Sequence, residues 1–272
     1  MNMNSRSKRS APIGVFDSGL GGLTVVREFF RQMPFEKIIY LGDTAHLPYG
    51  SKSARIVAEL AYQNVEFLVR RGVKIVVVAC NTASAMSLDM LKRGFSVPIE
   101  GVIEPGAQAA LEASREKRIG VIGTHATVSS MAYPEAIRKI CPETRVFQKA
   151  CPLFVPIVEE GWANTRVAKL TAKIYLSDFR RKGIDVLVLG CTHYPLLKKT
   201  IAKVAGRQVK LIDSAEAVVR QVKDRLSEKF LENNCRKKPD HRFFVTDFPQ
   251  KFSNHAGIFL GQKIEKVTLV KS

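Results

Sequence analysis

Two cysteines end two similar phrases in this chain. Gly72-Val73-Lys74-Ile75-Val76-Val77-Val78-Ala79-Cys80 runs parallel to Gly183-Ile184-Asp185-Val186-Leu187-Val188-Leu189-Gly190-Cys191. After each cysteine the chain turns polar at once, with Asn81-Thr82 in the first copy and Thr192-His193 in the second. A free thiol has a pKa of about 8.5, so near neutrality it can serve as acid or as base. One such cysteine alone is most often a small buried hydrophobe. Two in matched surroundings point to a reaction with two equivalent proton transfers. His193, so close to a thiol, suits an acid/base or orienting role. Cys141, Cys151 and Cys235 lack this context and are assigned no role.

Something must hold the two thiols in place. A continuous β-branched run reads as a strand buried on both faces of a parallel sheet. Ligands of open α/β sheets lie beyond the carboxyl ends of such strands, where both cysteines fall. A helix N-terminus after each strand would stabilise a thiolate. Asp17-Ser18-Gly19-Leu20-Gly21-Gly22 lies between a strand and a helix. Its glycines let backbone N–H groups approach an anion, or Asp17 and Ser18 simply cap the helix. Gly42-Asp43-Thr44-Ala45-His46-Leu47-Pro48-Tyr49-Gly50 reads as a rigid wall offering amides to a carboxylate, or as a structural loop. In Gly123-Thr124-His125-Ala126-Thr127, Thr124 stands where Ser18 stands in the first half, and Thr127 can cap the next helix. Glu159 and Glu160 follow Cys151-Pro152-Leu153-Phe154-Val155-Pro156 and read most simply as solvated glutamates.

Strand and helix patterns alternate along the chain. Strands are expected over 11–16, 37–41, 98–103, 241–246 and 263–270, with helices over 23–32, 52–71 and 83–92. Val57, Ala61, Val65 and Leu68 recur at helical spacing in the second of these helices. Ile119-Gly120-Val121-Ile122-Gly123-Thr124 echoes Ile13-Gly14-Val15-Phe16-Asp17-Ser18, and Leu211-Ile212-Asp213 echoes Val102-Ile103-Glu104. A long helix after Asp213 shows Val218, Val222, Leu226 and Phe230 at four-residue spacing, and 231–240 reads as a polar loop. The βαβα order implies parallel sheets with helices on both faces. The expected fold is α/β: two pseudo-symmetric open domains with mostly parallel sheets and the active site in the cleft between them. Residues 1–103 and 214–272 would form the first domain, because the C-terminal portion returns to it, and 104–213 the second.

Composition narrows the class of protein. The chain has 272 residues, enough for two ordinary domains. No apolar run approaches the ~20 residues needed to span a bilayer, so no membrane role is expected. The basic N-terminus, with Arg6, Lys8 and Arg9, has no apolar stretch behind it and reads as a short disordered tail rather than a secretory signal. Five scattered cysteines suit a reducing cytoplasm better than a disulfide framework. There is no CxxC pair, so no metal site is expected. The formal charge of +18 raises a nucleic-acid partner. The basic residues are spread along the chain without an aromatic platform, so a solvated basic surface that steers anionic substrates is preferred.

In combination these phrases resemble those of the bacterial glutamate racemases, in the cofactor-independent Asp/Glu racemase family. The resemblance runs from about Ile13 to Asp213. It rests on Phe16-Asp17-Ser18-Gly19-Leu20-Gly21-Gly22, Gly42-Asp43-Thr44-Ala45 with Pro48-Tyr49-Gly50, Ala79-Cys80-Asn81-Thr82-Ala83, Gly190-Cys191-Thr192-His193-Tyr194-Pro195 and Ile212-Asp213-Ser214. It implies interconversion of L- and D-glutamate without a cofactor, supplying D-glutamate for peptidoglycan. It implies Cys80 and Cys191 as the acid/base pair, with Asp17, His193 and Glu159 as helpers. Asp17, Ser18, Tyr49, Gly50, Asn81, Thr82, Thr124, Thr127, Thr192 and His193 resemble the substrate-binding set. Family members form homodimers in differing arrangements, and some bind regulatory ligands; the matched residues carry over neither property. The alternatives are a racemase of another acidic amino acid such as aspartate, and a two-lobed acidic amino-acid binding protein without turnover.

Overall fold

The computed structural model describes residues 8–235 and 237–271. Arg6 of the expected basic tail lies outside these residues. Lys8 to Ser10 are helical rather than disordered, and Arg9 donates to the Phe230 carbonyl at 2.8 Å.

The first half runs β1 (Ile13–Asp17), α1 (Leu23–Gln32), β2 (Ile38–Gly42), α2 (Ala54–Val69), β3 (Ile75–Val78), α3 (Asn81–Gly94), β4 (Ile99–Gly101) and α4 (Ile103–Ala113). The second runs β5 (Arg118–Gly123), α5 (His125–Ser129), α6 (Ala132–Ile140), β6 (Arg145–Ala150), α7 (Phe154–Glu159), α8 (Arg166–Lys182), β7 (Val186–Gly190), α9 (Lys198–Ala205) and β8 (Lys210–Asp213). The chain closes with α10 (Ser214–Glu228), β9 (Arg242–Val245), α11 (Pro249–Leu260) and β10 (Val267–Leu269).

Two parallel sheets result. One has the order β10-β9-β2-β1-β3-β4 and the other β6-β5-β7-β8. The β2-β1-β3-β4 portion of the first therefore has the winding of the whole second sheet. β9 and β10 extend the first sheet beyond β2. β3 and β7 are apolar on both faces and wholly buried, as central strands of a doubly covered parallel sheet must be. α2 buries Val57, Ala61, Val65 and Leu68 on one stripe.

Two sequence expectations shift in register. The apolar stripe of α10 stops at Leu226; the helix ends at Glu228, and Phe230 has a left-handed φ of 54° and is 75% exposed. The echo of Val102-Ile103-Glu104 in Leu211-Ile212-Asp213 is also offset. Val78 pairs with Gly101 while Leu189 pairs with Asp213, so Asp213 corresponds to Gly101. Ile103 and Glu104 already belong to α4.

In each lobe the winding reverses about the first strand. The crevice at such a reversal opens at the carboxyl ends of β1 and β3 in one lobe and of β5 and β7 in the other. The lobes meet closely there. Thr24 Oγ1, in α1, donates to the Thr192 carbonyl of the other lobe at 3.2 Å. A Cβ at Gly21 would stand 2.1 Å from Thr192 Oγ1 and 2.6 Å from His193 Nδ1, so only glycine allows this approach. Gly21→Ala is expected to push the loop after β1 away from Thr192 and His193. Overpacking of this kind costs about 1–3 kcal/mol, which urea unfolding would read as a lower midpoint with the slope unchanged.

Candidate active site

The four strand ends enclose one cavity of about 400 Å³, within the range of small-molecule sites. The first lobe contributes Ser18, Tyr49, Gly50, Cys80, Asn81 and Thr82 to its walls; the second contributes Thr124, Glu159, Cys191, Thr192 and His193. Pro152, Val155 and Pro156, around the start of α7, add an apolar side. Both thiols therefore line the same cavity, one from each lobe. Asp17 and Thr127 are fully buried behind the lining and act on it through hydrogen bonds.

The thiols are equivalent in topology and different in electrostatics. Cys80 caps α3 and lies 3.7 Å from Ser18 Oγ. Burial pushes its thiol up to about 12, the nearby Asp17 carboxylate pushes the same way, and the Ala83 amide and Ser18 hydroxyl only partly oppose them. The helix N-terminus does favour the Cys80 thiolate, as expected, through the Ala83 amide, but desolvation outweighs it. At Cys191 no α-helix follows directly. Tyr194–Leu197, containing Pro195, forms a 3₁₀ turn before α9. A histidine stands where the helix end was expected.

His193 Nδ1 lies 3.9 Å from Cys191 Sγ, and its Nε2 lies 3.0 Å from Glu159 Oε1. Burial draws the imidazole pKa down, but hydrogen bonds to Cys191 and Glu159, with their charges, outweigh it and leave the ring pushed up to about 10. Burial raises Glu159, and the His193 hydrogen bond and charge overcome that and hold its carboxyl below the usual range; Lys251 and His255 of α11 add to the lowering. Glu159 is therefore partnered rather than simply solvated. Near neutrality Cys80 keeps its proton while an imidazolium faces Cys191. Asp17 is raised by burial against the pull of His193 and the Gly22 and Gly19 amides. It accepts from Gly19 N at 3.0 Å and from Thr192 Oγ1 at 3.4 Å, tying the β1 loop to the Cys191 loop.

Hydroxyls bridge the cleft elsewhere. Thr82 Oγ1 lies 2.9 Å from Thr124 Oγ1 and 3.3 Å from Thr127 Oγ1, and Thr124 also caps α5 by accepting from Thr127 N at 3.1 Å. Tyr49 turns its hydroxyl away from the cavity. It donates to Asp43 and accepts from Asn64 Nδ2 at 3.0 Å, so the residue offers ring and backbone to the site.

Sequence reasoning passed over several residues that support these walls. Asp43 follows β2 as Asp17 ends β1, and it anchors Tyr49, His46 and Thr246. Tyr40 donates to the Gly19 carbonyl at 2.7 Å, and Tyr133 donates to Asn81 Oδ1 at 2.8 Å. Asp43 lay within a phrase already singled out; the two tyrosines have no local sequence signal.

Among the described residues no helix is long and apolar enough to cross a membrane. Residues 13–222 match the family described as Asp/Glu/Hydantoin racemase. The glutamate racemase of Geobacter metallireducens is 50% identical over 94% of each chain. Among solved structures, a glutamate racemase isoform from Bacillus anthracis superposes with a TM-score of 0.93 at 40% identity, over 97% of this chain and 98% of that one. A glutamate racemase from Francisella tularensis in complex with D-glutamate gives a TM-score of 0.91 at 40% identity, with the same coverage. With its paired α/β lobes and matched thiols, this chain belongs to the Asp/Glu/Hydantoin racemase family and is an amino-acid racemase.

Proposed function

We propose that this racemase interconverts L- and D-glutamate, with Cys80 and Cys191 as acid and base on opposite faces of the α-carbon. The observation that carries the proposal is that both sulfurs line one cavity from topologically matched positions on two lobes. The substrate assignment draws on the many glutamate-named relatives and on the D-glutamate held by the Francisella neighbour.

In one direction Cys191 acts as thiolate, its charge stabilised by the His193 imidazolium. It takes the α-proton and becomes a thiol, and the bonding electrons move toward the α-carboxylate. Cys80 then gives its S–H proton to the opposite face and is left as the thiolate. That state is the starting point for the reverse reaction. Burial and Asp17 keep the Cys80 proton in place until the carbanion develops. An α-proton is far less acidic than a thiol, so the site must stabilise the carbanion. Among the described residues lining the cavity there is no lysine or arginine. Ser18, Asn81, Thr82, Thr124 and Thr192 therefore supply neutral donors to the substrate carboxylates. Fixed donors aimed at growing charge stabilise a transition state more than a ground state, and a water-poor cavity strengthens each bond. Positioned acid/base groups contribute about 10²–10⁴-fold each.

Biologically, this reading has the enzyme supplying D-glutamate to peptidoglycan synthesis in the cytoplasm. It also takes residues 1–103 with 214–272 as one domain and 104–213 as the other, supported by the pairing of β9 onto β2.

Purified protein given L-glutamate and no cofactor should lose optical rotation in a polarimeter as the D-enantiomer forms, and should do so faster than with aspartate. Cys80→Ser and Cys191→Ser should each lower turnover by at least about 10²-fold; full activity in either would overturn the two-base scheme.

The His193–Glu159 pair sets a pH dependence. The histidine pKa is raised from 6.5 to about 10 in the fold, so the stability it contributes is complete below pH 6.5 and is lost as pH rises through about 10. Activity that needs the imidazolium falls in the same alkaline window. Glu159→Gln removes a charge that holds the proton, so the alkaline limb of kcat/KM should move toward neutrality. An unmoved limb would dissociate His193 from Glu159.

A further inference from the structure

Asn81 directly follows Cys80, is 2% exposed and lines the cavity. Its two amide atoms have different fates. Oδ1 accepts from the Tyr133 hydroxyl at 2.8 Å, whereas Nδ2 is buried without a hydrogen-bond partner among the described residues. A buried donor left unpaired is costly, so such an atom in a ligand-sized cavity is poised for an acceptor on the ligand. A carboxamide can turn over and exchange its donor and acceptor ends. Something must keep the donor facing the cavity.

Tyr133 does so from the opposite lobe. It is the second residue of α6 and is fully buried. Its ring lies against the backbone just before Cys191, where a Cβ at Gly190 would stand 3.1 Å from the ring edge. Its hydroxyl lies against α4, where a Cβ at Gly106 would stand 3.2 Å away. Ser214, the first residue of α10, stands at the same spot, its Cβ 3.5 Å from that Gly106 Cβ position, and it eases the upward push of burial on the phenol pKa. The phenol proton is given to Asn81 Oδ1. A relay then runs from Tyr133 to Asn81 and ends on the amide N–H, with Ser214 behind the phenol.

We propose that Tyr133 is a positioning residue of the racemase site: it fixes the Asn81 carboxamide so that Nδ2 donates to a substrate carboxylate oxygen. Through this bond the packing beside Cys191 on one lobe sets the donor beside Cys80 on the other. The inference rests on the proposed amino-acid racemisation at this site and adds a residue with no direct contact with the cavity.

The test is a double-mutant cycle on kcat/KM, read as α-proton exchange in deuterated water by NMR so that slow variants remain measurable. Tyr133→Phe keeps the ring and removes the hydroxyl. In the native background it should lower kcat/KM about 10-fold, the size expected for loss of one oriented hydrogen bond, with a raised KM. In an Asn81→Ala background it should change kcat/KM less than about 2-fold, because the group it positions is gone. An unchanged rate in the native background, or the same loss in both, overturns the proposal. Should Tyr133→Phe not fold, Ser214→Ala takes its place in the cycle: a smaller loss that vanishes with Asn81→Ala supports the relay, and a loss independent of Asn81 overturns it. The unmutated enzyme separates this from the parent reading. Failure to exchange the glutamate α-proton refutes the function, whereas normal exchange with an indifferent Tyr133→Phe refutes only the relay.

Discussion

Two groups that reach a tetrahedral carbon from opposite faces can invert it by proton transfer, one as base and the other as acid. Two thiols that divide this task must share one cavity. They must also hold different protonation states, since two thiols or two thiolates cannot complete the exchange. A duplicated lobe meets the first requirement directly. Each copy places a cysteine just beyond the strand next to its winding reversal, and packing the copies with these ends together brings both sulfurs to one space.

The second requirement needs the duplication to be imperfect, and the residues after the two cysteines do differ, which gives the two thiols unlike electrostatic surroundings. After Cys80 comes an α-helix, with Asp17 nearby and the thiol buried, and the proton is held. After Cys191, Pro195 falls in a short 3₁₀ turn, and His193, backed by Glu159, brings a positive charge to the sulfur. Lys251 and His255 of α11 add to the lowering at Glu159, so the C-terminal segment acts electrostatically on Glu159 as well as extending the first sheet. The contacts between lobes follow the same division. Asp17 accepts from Thr192, Thr24 donates to the Thr192 carbonyl, and Thr82 meets Thr124, so each wall of the cavity is held partly by the opposite lobe.

What could be read from the sequence was whatever is written locally. The apolar runs before Cys80 and Cys191 announce buried parallel strands because both of their faces are covered. β6 gave no such signal: it is a sheet edge carrying Arg145, Gln148 and Lys149, and its burial is only partial. The stripe of α10 was over-extended to Phe230 because four-residue spacing carries no information about where the chain turns into αL. Glu159 looks like a surface glutamate until α7 is folded against His193. Tyr133 is silent for the same reason, since its partner Asn81 lies on the other lobe. Local pattern locates strand ends and nucleophiles; the side chains that orient them act across long sequence separations.

The central claim is that two different sulfurs handle the leaving and the arriving proton. The most direct measurement follows one enantiomer of glutamate in deuterated water over the first few per cent of conversion and reads isotope at the α-carbon of substrate and product separately. Two thiols on opposite faces predict deuterium in nearly all of the newly formed enantiomer and almost none in the recovered starting enantiomer. Deuterium appearing equally in both pools would mean that one group serves both faces, and would contradict the account.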